Sequence, residues 1–367
     1  MQLYNARLNS IREKLEKENL DGMLLFPSPN QYYTTGFRTF PGERLLLTVI
    51  PKSSDAFFIA PKLYEGQIRS EASIVNIYSW TDEENPYDIL RELMEERGID
   101  KGRFAVDDTM WSLQLLSIMK VLPNAEFASL GDIISGMRLK KSNDEVELMK
   151  KSGKIADDIF MKVKEYIKPG MSEIEIAAFM EYEMRKMGAD GPSFETIVGS
   201  GPNSALPHYS PGERKIGTGE FVVFDFGALY KGYCSDTTRT LCIGEPSEKM
   251  VEVHNIVREA QEIGVKTVRP GIKAKEVDLA VRSYIESKGY GKYFTHRTGH
   301  GIGLEVHEEP YITAISEKIL EPGMAFSIEP GIYIEGEFGV RIEDIVIVTD
   351  DGCIRMNNSP KELICVK

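Results

Sequence analysis

A chain of 367 residues is long enough for two domains or one large one, and its 42% hydrophobic and 28% charged composition is that of a soluble globular protein. The net charge of -13 argues against nucleic acid or an anionic membrane as the main partner, because both need clustered Lys and Arg. No run approaches the ~18 apolar residues that a membrane span needs. The charged N-terminus, MQLYNARLNSIREKLEKENL, lacks the apolar core of a signal peptide. Cys234, Cys242, Cys353 and Cys365 show no CxxC spacing and read as reduced, mostly buried thiols. Together these features predict a cytoplasmic protein.

In chain order, DGMLLF, RLLLTVI and AFFIA read as strands, and residues 8–19 and 86–97 as helices. Strands interleaved with helices predict an α/β domain over residues 1–130, with no catalytic clustering of His, Asp, Glu or Cys. Residues 131–141 read as a linker. A second domain then runs over 142–367, opened by a capping box of Ser142 and Glu145. Val146, Met149, Ala156, Phe160, Val163 and Ile167 follow at helical spacing, and Pro169-Gly170 stops the helix.

This second domain contains an internal repeat. KPGMSEIEIAAFMEYEMRKMG (168–188) and RPGIKAKEVDLAVRSYIESKG (269–289) align without a gap. Each follows a long amphipathic helix, the second predicted from Met250 to Val268. Each is followed by an apolar strand with an acid just before its end: EFVVFDFG (220–227) carries Asp225, and MAFSIEPG (324–331) carries Glu329. A further acid comes after each strand, Asp236 in SDTTRT and Glu343 in VRIED. The predicted architecture is two α+β halves about a pseudo-two-fold, with a site where the halves meet.

Most single acids near strand ends are turn residues or solvated charges. Here strand alternation puts Asp225 on the face of Phe221 and Val223, and Glu329 on that of Ala325 and Ser327. Reading GVRIEDIVIV as one strand puts Glu343 with Arg341, Ile345 and Ile347. Buried carboxylates need partners, and Arg341 and Arg239 are the only bases nearby in these strands. Divalent cations would remove the conflict. Four carboxylates and one imidazole balance two such ions, and an oxygen-rich set with one nitrogen suits Mn²⁺, Co²⁺, Fe²⁺ or Zn²⁺. Two ions ~3.5–4 Å apart would share a water and a bridging carboxylate, Glu343 or Asp236. Of five histidines, His208, His296, His300 and His307 fall in these segments, while His254 reads as a surface or packing residue. The glycines around His300 in THRTGHGIGLEVHEEP would let backbone approach a ligand closely.

In their order and spacing, FDFG, SDTTRT, TGHGIG, SIEPG and VRIED resemble the metal-binding signature of the pita-bread metallopeptidases. That family includes methionine aminopeptidase, aminopeptidase P and prolidase. The resemblance covers residues ~140–367, and NSALPHY and VHEEP are similar to its substrate-side histidine segments. SPNQYYTTGF resembles part of the creatinase/prolidase-type N-terminal domain, which favours the Xaa-Pro branch. The resemblance implies Asp225, Asp236, His300, Glu329 and Glu343 as ligands of two divalent ions, Mn²⁺ or Co²⁺ ahead of Zn²⁺ or Fe²⁺. Asp236 and Glu343 would bridge the ions, and Glu329 would also carry a proton from the water between them. It further implies His307 as a catalytic group on the scissile carbonyl and His208 and His296 as substrate contacts, with Arg341 and Tyr333 tuning the site. The implied substrate is a small peptide with proline second, and the implied assembly a homodimer through the N-terminal domain. Some prolidases place Arg four residues after the VHEEP histidine, to meet a dipeptide's carboxylate; here that position is Tyr311. The expected activity is prolidase, with aminopeptidase P as the alternative and an inactive binding scaffold as the reading of another class.

Overall fold

The computed structural model describes residues 2–367 and resolves into two compact units, Met1–Met137 and Arg138–Lys367. The first is built on a six-stranded sheet in the order 76–80, 57–61, 47–51, 22–25, 103–106, 126–129. Gly22–Leu25 and Leu47–Pro51 are wholly buried and pair antiparallel, while the outer pairings are parallel. The three strands read from sequence are present. Asn76–Trp80, Arg103–Val106 and Glu126–Ser129 are additional; they are short, and the first and last are only half-buried, so they carry little periodic signal. The first helix spans Gln2–Lys17, starting earlier than its apolar pattern. Pro86–Glu96 begins where its chemistry dictates, with Asn85 accepting from the Tyr87 amide and Pro86 in the first turn. Inside the expected linker lies a helix, Asp132–Arg138, and the boundary between the units falls near its end.

In the second unit the capping box forms as expected. Ser142 Oγ accepts from the Glu145 amide, and Glu145 bonds back to the Ser142 amide at 2.7 Å, opening the helix Asn143–Tyr166. The internal repeat is visible in the backbone itself. Gly170 and Gly271 sit at φ +87° and +86°, and the closing Gly188 and Gly289 at +90° and +84°, a region that glycine enters without steric cost. The amides of Gly170 and Gly271 donate to the carbonyls of Ile216 and Leu320, each at 2.8 Å. Ser172 and Lys273 make matching bridges to Lys215 and Ile319. Helices Glu173–Lys186 and Ala274–Ser287 follow these turns, and Glu248–Thr267 is the second long helix, shifted two residues from its predicted start.

Each half supplies a sheet. In the first, Glu220–Phe226 lies between Ile197–Ser200 and Thr237–Ile243. In the second, Ala325–Ile328 lies between Gly299–Gly301 and Asp344–Val348. Ala156, Ile159, Phe160 and Val163 of the long helix pack with Val222, Phe224 and Phe226 in one core. Full burial of each large side chain stabilises by roughly 1.5–3 kcal/mol, so the strand bearing Asp225 is held firmly.

One strand differs from its reading. GVRIEDIVIV is two strands: Phe338–Arg341 pairs with Gly331–Ile334, and Asp344–Val348 pairs with Ala325–Ile328. The chain changes sheets at Ile342-Glu343, where the Glu343 amide donates to the Thr238 carbonyl at 3.1 Å. The cysteines are all free thiols; Cys234 and Cys242 are buried, Cys353 is half-buried and Cys365 is exposed. Among the described residues no helix is long and apolar enough to cross a membrane.

Candidate metal centre

The two half-sheets bring five donor side chains to the floor of one cavity of about 700 Å³, which Asp225, Asp236, His300, Glu329 and Glu343 all line. Asp225 comes from the strand Glu220–Phe226. Asp236 immediately precedes Thr237–Ile243, Glu329 follows Ala325–Ile328, and Glu343 sits at the sheet change. His300 is the middle residue of Gly299–Gly301. The glycines beside it serve the sheet: a side chain at Gly299 would meet the Ser327 carbonyl oxygen at 1.8 Å, and one at Gly301 the Glu309 oxygen at 2.1 Å. Their bareness lets strands close up around His300, which differs from the expected approach of backbone to a ligand.

Donor atoms of Asp236, His300 and Glu343 lie within 4.8 Å of one another. His300 Nε2 stands 3.2 Å from Glu329 Oε1 and 3.7 Å from Asp236 Oδ2. His300 Nδ1 lies 3.1 Å from the Gly301 carbonyl; placing the ring proton there leaves the Nε2 lone pair facing the carboxylates. Ser327 Oγ accepts from the His300 amide at 3.0 Å and donates to Glu329 Oε1 at 3.0 Å, fixing the two relative to each other. Thr238 Oγ1 donates to Glu343 Oε2 at 2.7 Å.

The cluster is short of donors. Asp225 Oδ1, Asp236 Oδ1 and Glu343 Oε1 are buried without a hydrogen-bond partner. Two charged acids ~5 Å apart repel by about 3–4 kcal/mol at an effective dielectric of 20. Several such pairs would consume the ~5–15 kcal/mol that holds a domain folded. Burial first, then the neighbouring carboxylates, push Asp236 and Glu343 well above the usual carboxylate range. Burial raises Glu329 to about 7, against the opposing charge of Arg341. Burial also lowers His300 to about 3, so its ring is neutral. Orphaned oxygens plus a neutral imidazole are the donor set a divalent cation fits.

Two arginines were candidates for compensating these acids. Arg341 bonds Asp225 Oδ2 directly, and also Tyr333 OH at 2.8 Å, Thr238 Oγ1 at 3.1 Å and the Pro207 carbonyl at 3.3 Å. Arg239 turns away from the cavity and pairs with Asp344 at 2.6 Å. His296 Nε2 meets Tyr333 OH at 2.9 Å while its Nδ1 meets the Arg297 carbonyl at 2.7 Å, so the Tyr333 hydroxyl accepts from Arg341 and donates to a neutral His296. Burial lowers His296 to about 4, consistent with that tautomer. His307 packs edge-on against His300, with ring centroids 4.2 Å apart, and both His307 and His208 reach the cavity. His254 is buried and packs near Phe221, away from the site.

Sequence reasoning passed over several residues of the site. Phe194, Ile197 and Val306 supply the apolar wall. Arg297 lines the cavity between two histidines that were singled out. Glu173, fully buried, accepts from the Ser200 amide and hydroxyl, Asn203 Nδ2 and Tyr209 OH at 2.7–3.1 Å, and so pins the loop bearing Pro207-His208. Arg297 and Val306 sat inside the noticed run THRTGHGIGLEVHEEP, as Ser327 and Thr238 sat inside SIEPG and SDTTRT, whereas Phe194, Ile197 and Glu173 lay outside the quoted site motifs.

A duplicated α+β scaffold with an oxygen-rich, cation-demanding cavity defines a metal-dependent hydrolase. The chain belongs to metallopeptidase family M24, whose sequence profile matches residues 147–350, and a Creatinase/Prolidase N-terminal domain matches residues 7–140. It is 38% identical to an Xaa-Pro dipeptidase of Pyrococcus horikoshii over 365 residues, covering 99% of this chain and 100% of that one. Among solved structures, a recombinant prolidase from Thermococcus sibiricus superposes with a TM-score of 0.95 at 42% identity, covering 99% of both chains. An X-Pro aminopeptidase from Thermotoga maritima gives 0.87 at 35% identity, over 96% of this chain and 98% of that one. The protein is therefore a peptidase of the pita-bread fold that uses divalent metal ions.

Proposed function

We propose that this chain is a prolidase, hydrolysing the Xaa-Pro bond of dipeptides with two divalent ions, Mn²⁺ or Co²⁺ ahead of Zn²⁺ or Fe²⁺. The observation that carries the reading is the set of buried, unpartnered carboxylate oxygens around a neutral His300 on a cavity floor. Asp225, Asp236, His300, Glu329 and Glu343 would hold the ions, which supply carbonyl polarisation and an acidified water when bound. The full-length similarity to an Xaa-Pro dipeptidase supports the substrate class.

The remaining roles belong to the chain's own groups. Glu329, oriented by the Ser327 hydroxyl on Oε1, would take a proton from the acidified water and pass it to the leaving nitrogen. That nitrogen is an imide with no N–H of its own, which ordinary peptidases accommodate poorly. His307 stabilises charge developing on the scissile carbonyl, and His208 and His296 contact substrate. The relay from Arg341 through Tyr333 sets the His296 ring. The apolar wall of Phe194, Ile197 and Val306 excludes water and receives apolar substrate surface. We further propose that the protein works as a homodimer in the cytoplasm.

A second reading is release of the first residue from longer Xaa-Pro peptides, favoured by the likeness to an X-Pro aminopeptidase and by Tyr311. Chelator-treated protein assayed on Ala-Pro and Ala-Pro-Ala, with each ion added back, separates the two. Ion-dependent cleavage of the dipeptide alone is the expected result. Preference for the tripeptide would move the assignment to an aminopeptidase, and no cleavage of either would overturn both.

A further inference from the structure

The cavity contains a second arginine in a setting unlike that of Arg341. Arg341 is fully engaged by Asp225, Tyr333, Thr238 and the Pro207 carbonyl. Arg297 lines the same cavity, yet among the described residues its guanidinium meets no carboxylate and donates no hydrogen bond. Its guanidinium carbon lies instead 4.5 Å from the centre of the Tyr311 ring. The backbone under it is fixed on both sides. Arg282 donates to the His296 carbonyl at 2.9 Å, and Asp278 accepts from the Thr298 amide at 3.1 Å and hydroxyl at 2.8 Å. The Thr298 amide points to the Ile312 carbonyl at 3.1 Å, which draws the Arg297 segment against the strand Glu308–Ile312 that carries Tyr311.

A guanidinium resting on an aromatic ring keeps its in-plane N–H edges free, and those edges match a carboxylate in a two-point contact. The ring holds the cation in place without neutralising it. Substrate chemistry supplies the missing anion. When proline is the last residue, its carboxylate lies within one residue of the scissile bond, so it must sit inside the same cavity. An acidic side chain on the residue before proline is the other carboxylate that could reach it.

We propose that Arg297, positioned by the ring of Tyr311, reads a substrate carboxylate and thereby selects short Xaa-Pro substrates. This rests on the Xaa-Pro reading given above, and it supplies the carboxylate recognition that Tyr311, standing where some prolidases carry Arg, cannot provide by itself. Tyr311 is a positioning residue; Arg297 makes the contact.

The test compares kcat/KM on Ala-Pro, Ala-Pro amide and Glu-Pro amide for metal-loaded wild type, Arg297→Gln, Tyr311→Phe and Tyr311→Leu. Metal content is measured for each. Arg297→Gln is expected to lower the Ala-Pro to Ala-Pro amide ratio at least ~10-fold, through KM, the scale of one charge-assisted hydrogen bond. Tyr311→Phe keeps the ring and the ratio; Tyr311→Leu lowers the ratio by ~3-fold. If the Glu-Pro amide to Ala-Pro amide ratio collapses instead, the carboxylate read is that of the side chain and the selection of short substrates is overturned. Both ratios unchanged, or one common factor lost on all three substrates, would overturn the proposal. Should Arg297→Gln fail to fold, the Phe and Leu variants at 311 still decide it. Titration calorimetry of proline against prolinamide reads carboxylate recognition without turnover: a wild type that cleaves none of the peptides refutes the Xaa-Pro reading, whereas proline binding indifferent to Arg297→Gln refutes this one.

Discussion

On one side of the Glu343-Asp344 peptide lies a carboxylate cluster short of counter-ions, with Arg341 paired to Asp225 alone; on the other, an acid is compensated several times over. Glu343 shares its cavity with Asp225, Asp236 and Glu329 and receives one hydroxyl donor, Thr238. Asp344 accepts from Arg239 at 2.6 Å, and from Lys361 and Gln261 at 3.1 Å each. Strand alternation explains the division, since Thr238 and Arg239 are also consecutive and face opposite ways. Burial acts on both acids. Beside Asp344 it is outweighed by Arg239 and Lys361, which hold the carboxyl below its usual range; at Glu343 the neighbouring acids add to it. Burial alone therefore does not mark a functional acid. Burial without a counter-charge does, because that arrangement destabilises the fold unless a cation completes it.

The largest expected effects come from reversing each environment. Glu343→Ala or Asp236→Ala is expected to remove metal loading and to lower activity by about a thousandfold or more, as loss of one member of a concerted set does; metal analysis and a peptidase assay check both. Full activity in purified Asp236→Ala protein would sink the two-ion site. Asp344→Asn should instead leave Arg239 buried without its acid, while Lys361 keeps Glu262, and cost ~3–5 kcal/mol of stability. In chelated protein Glu343→Gln should raise the melting temperature while Asp344→Asn lowers it, and like signs would erase the contrast.

The pH dependence sharpens the same contrast. Asp236, Glu343 and Glu329 are raised in the metal-free fold, Glu329 to about 7, so the native state holds protons that the unfolded chain has released. Stability of chelated protein should thus fall as pH rises from 6 to 8, by up to about 1.4 kcal/mol per unit for each group titrating there. Loaded protein should show no such fall. Asp344 works the other way: its contribution is present above the unfolded carboxyl value and lost as pH falls through its depressed one. Thermal melts at pH 4, 6 and 8 with and without chelator read both trends.

Smaller effects are expected around the ligands. Thr238→Val, which removes the donor to Glu343, should weaken metal affinity ~10–100-fold by calorimetric titration, the range for groups that orient ligands. Tyr333→Phe breaks the link between Arg341 and His296 and should lower kcat/KM by ~10-fold or less, the cost of about one hydrogen bond, with metal content unchanged.

Much of this architecture was legible because duplication writes itself twice. The Pro-Gly stops at 169–170 and 270–271 and the acids that follow them located both halves and the donor residues. What escaped depends on neighbours far apart in sequence. The sheet change at Ile342-Glu343 is fixed by the Thr238 carbonyl, about a hundred residues away, and no local pattern announces it. Glu343 was singled out in VRIED, whereas the compensation of its neighbour Asp344 depends on Arg239 and Lys361, which lie elsewhere in the sequence. Arg297 was hidden among histidines, and its meaning depends on the ring of Tyr311 across the sheet. The glycines flanking His300 were noticed in the sequence, but only the fold reveals that strand carbonyls lie against them.

Metal stoichiometry decides whether these under-compensated carboxylates form a two-ion site. Chelated, dialysed protein titrated with Mn²⁺ or Co²⁺ in a calorimeter, beside Asp236→Ala, should bind two ions per chain, with Ala-Pro hydrolysis returning as they load. A wild type that takes up no ion, and whose hydrolysis is indifferent to chelator, would contradict the account.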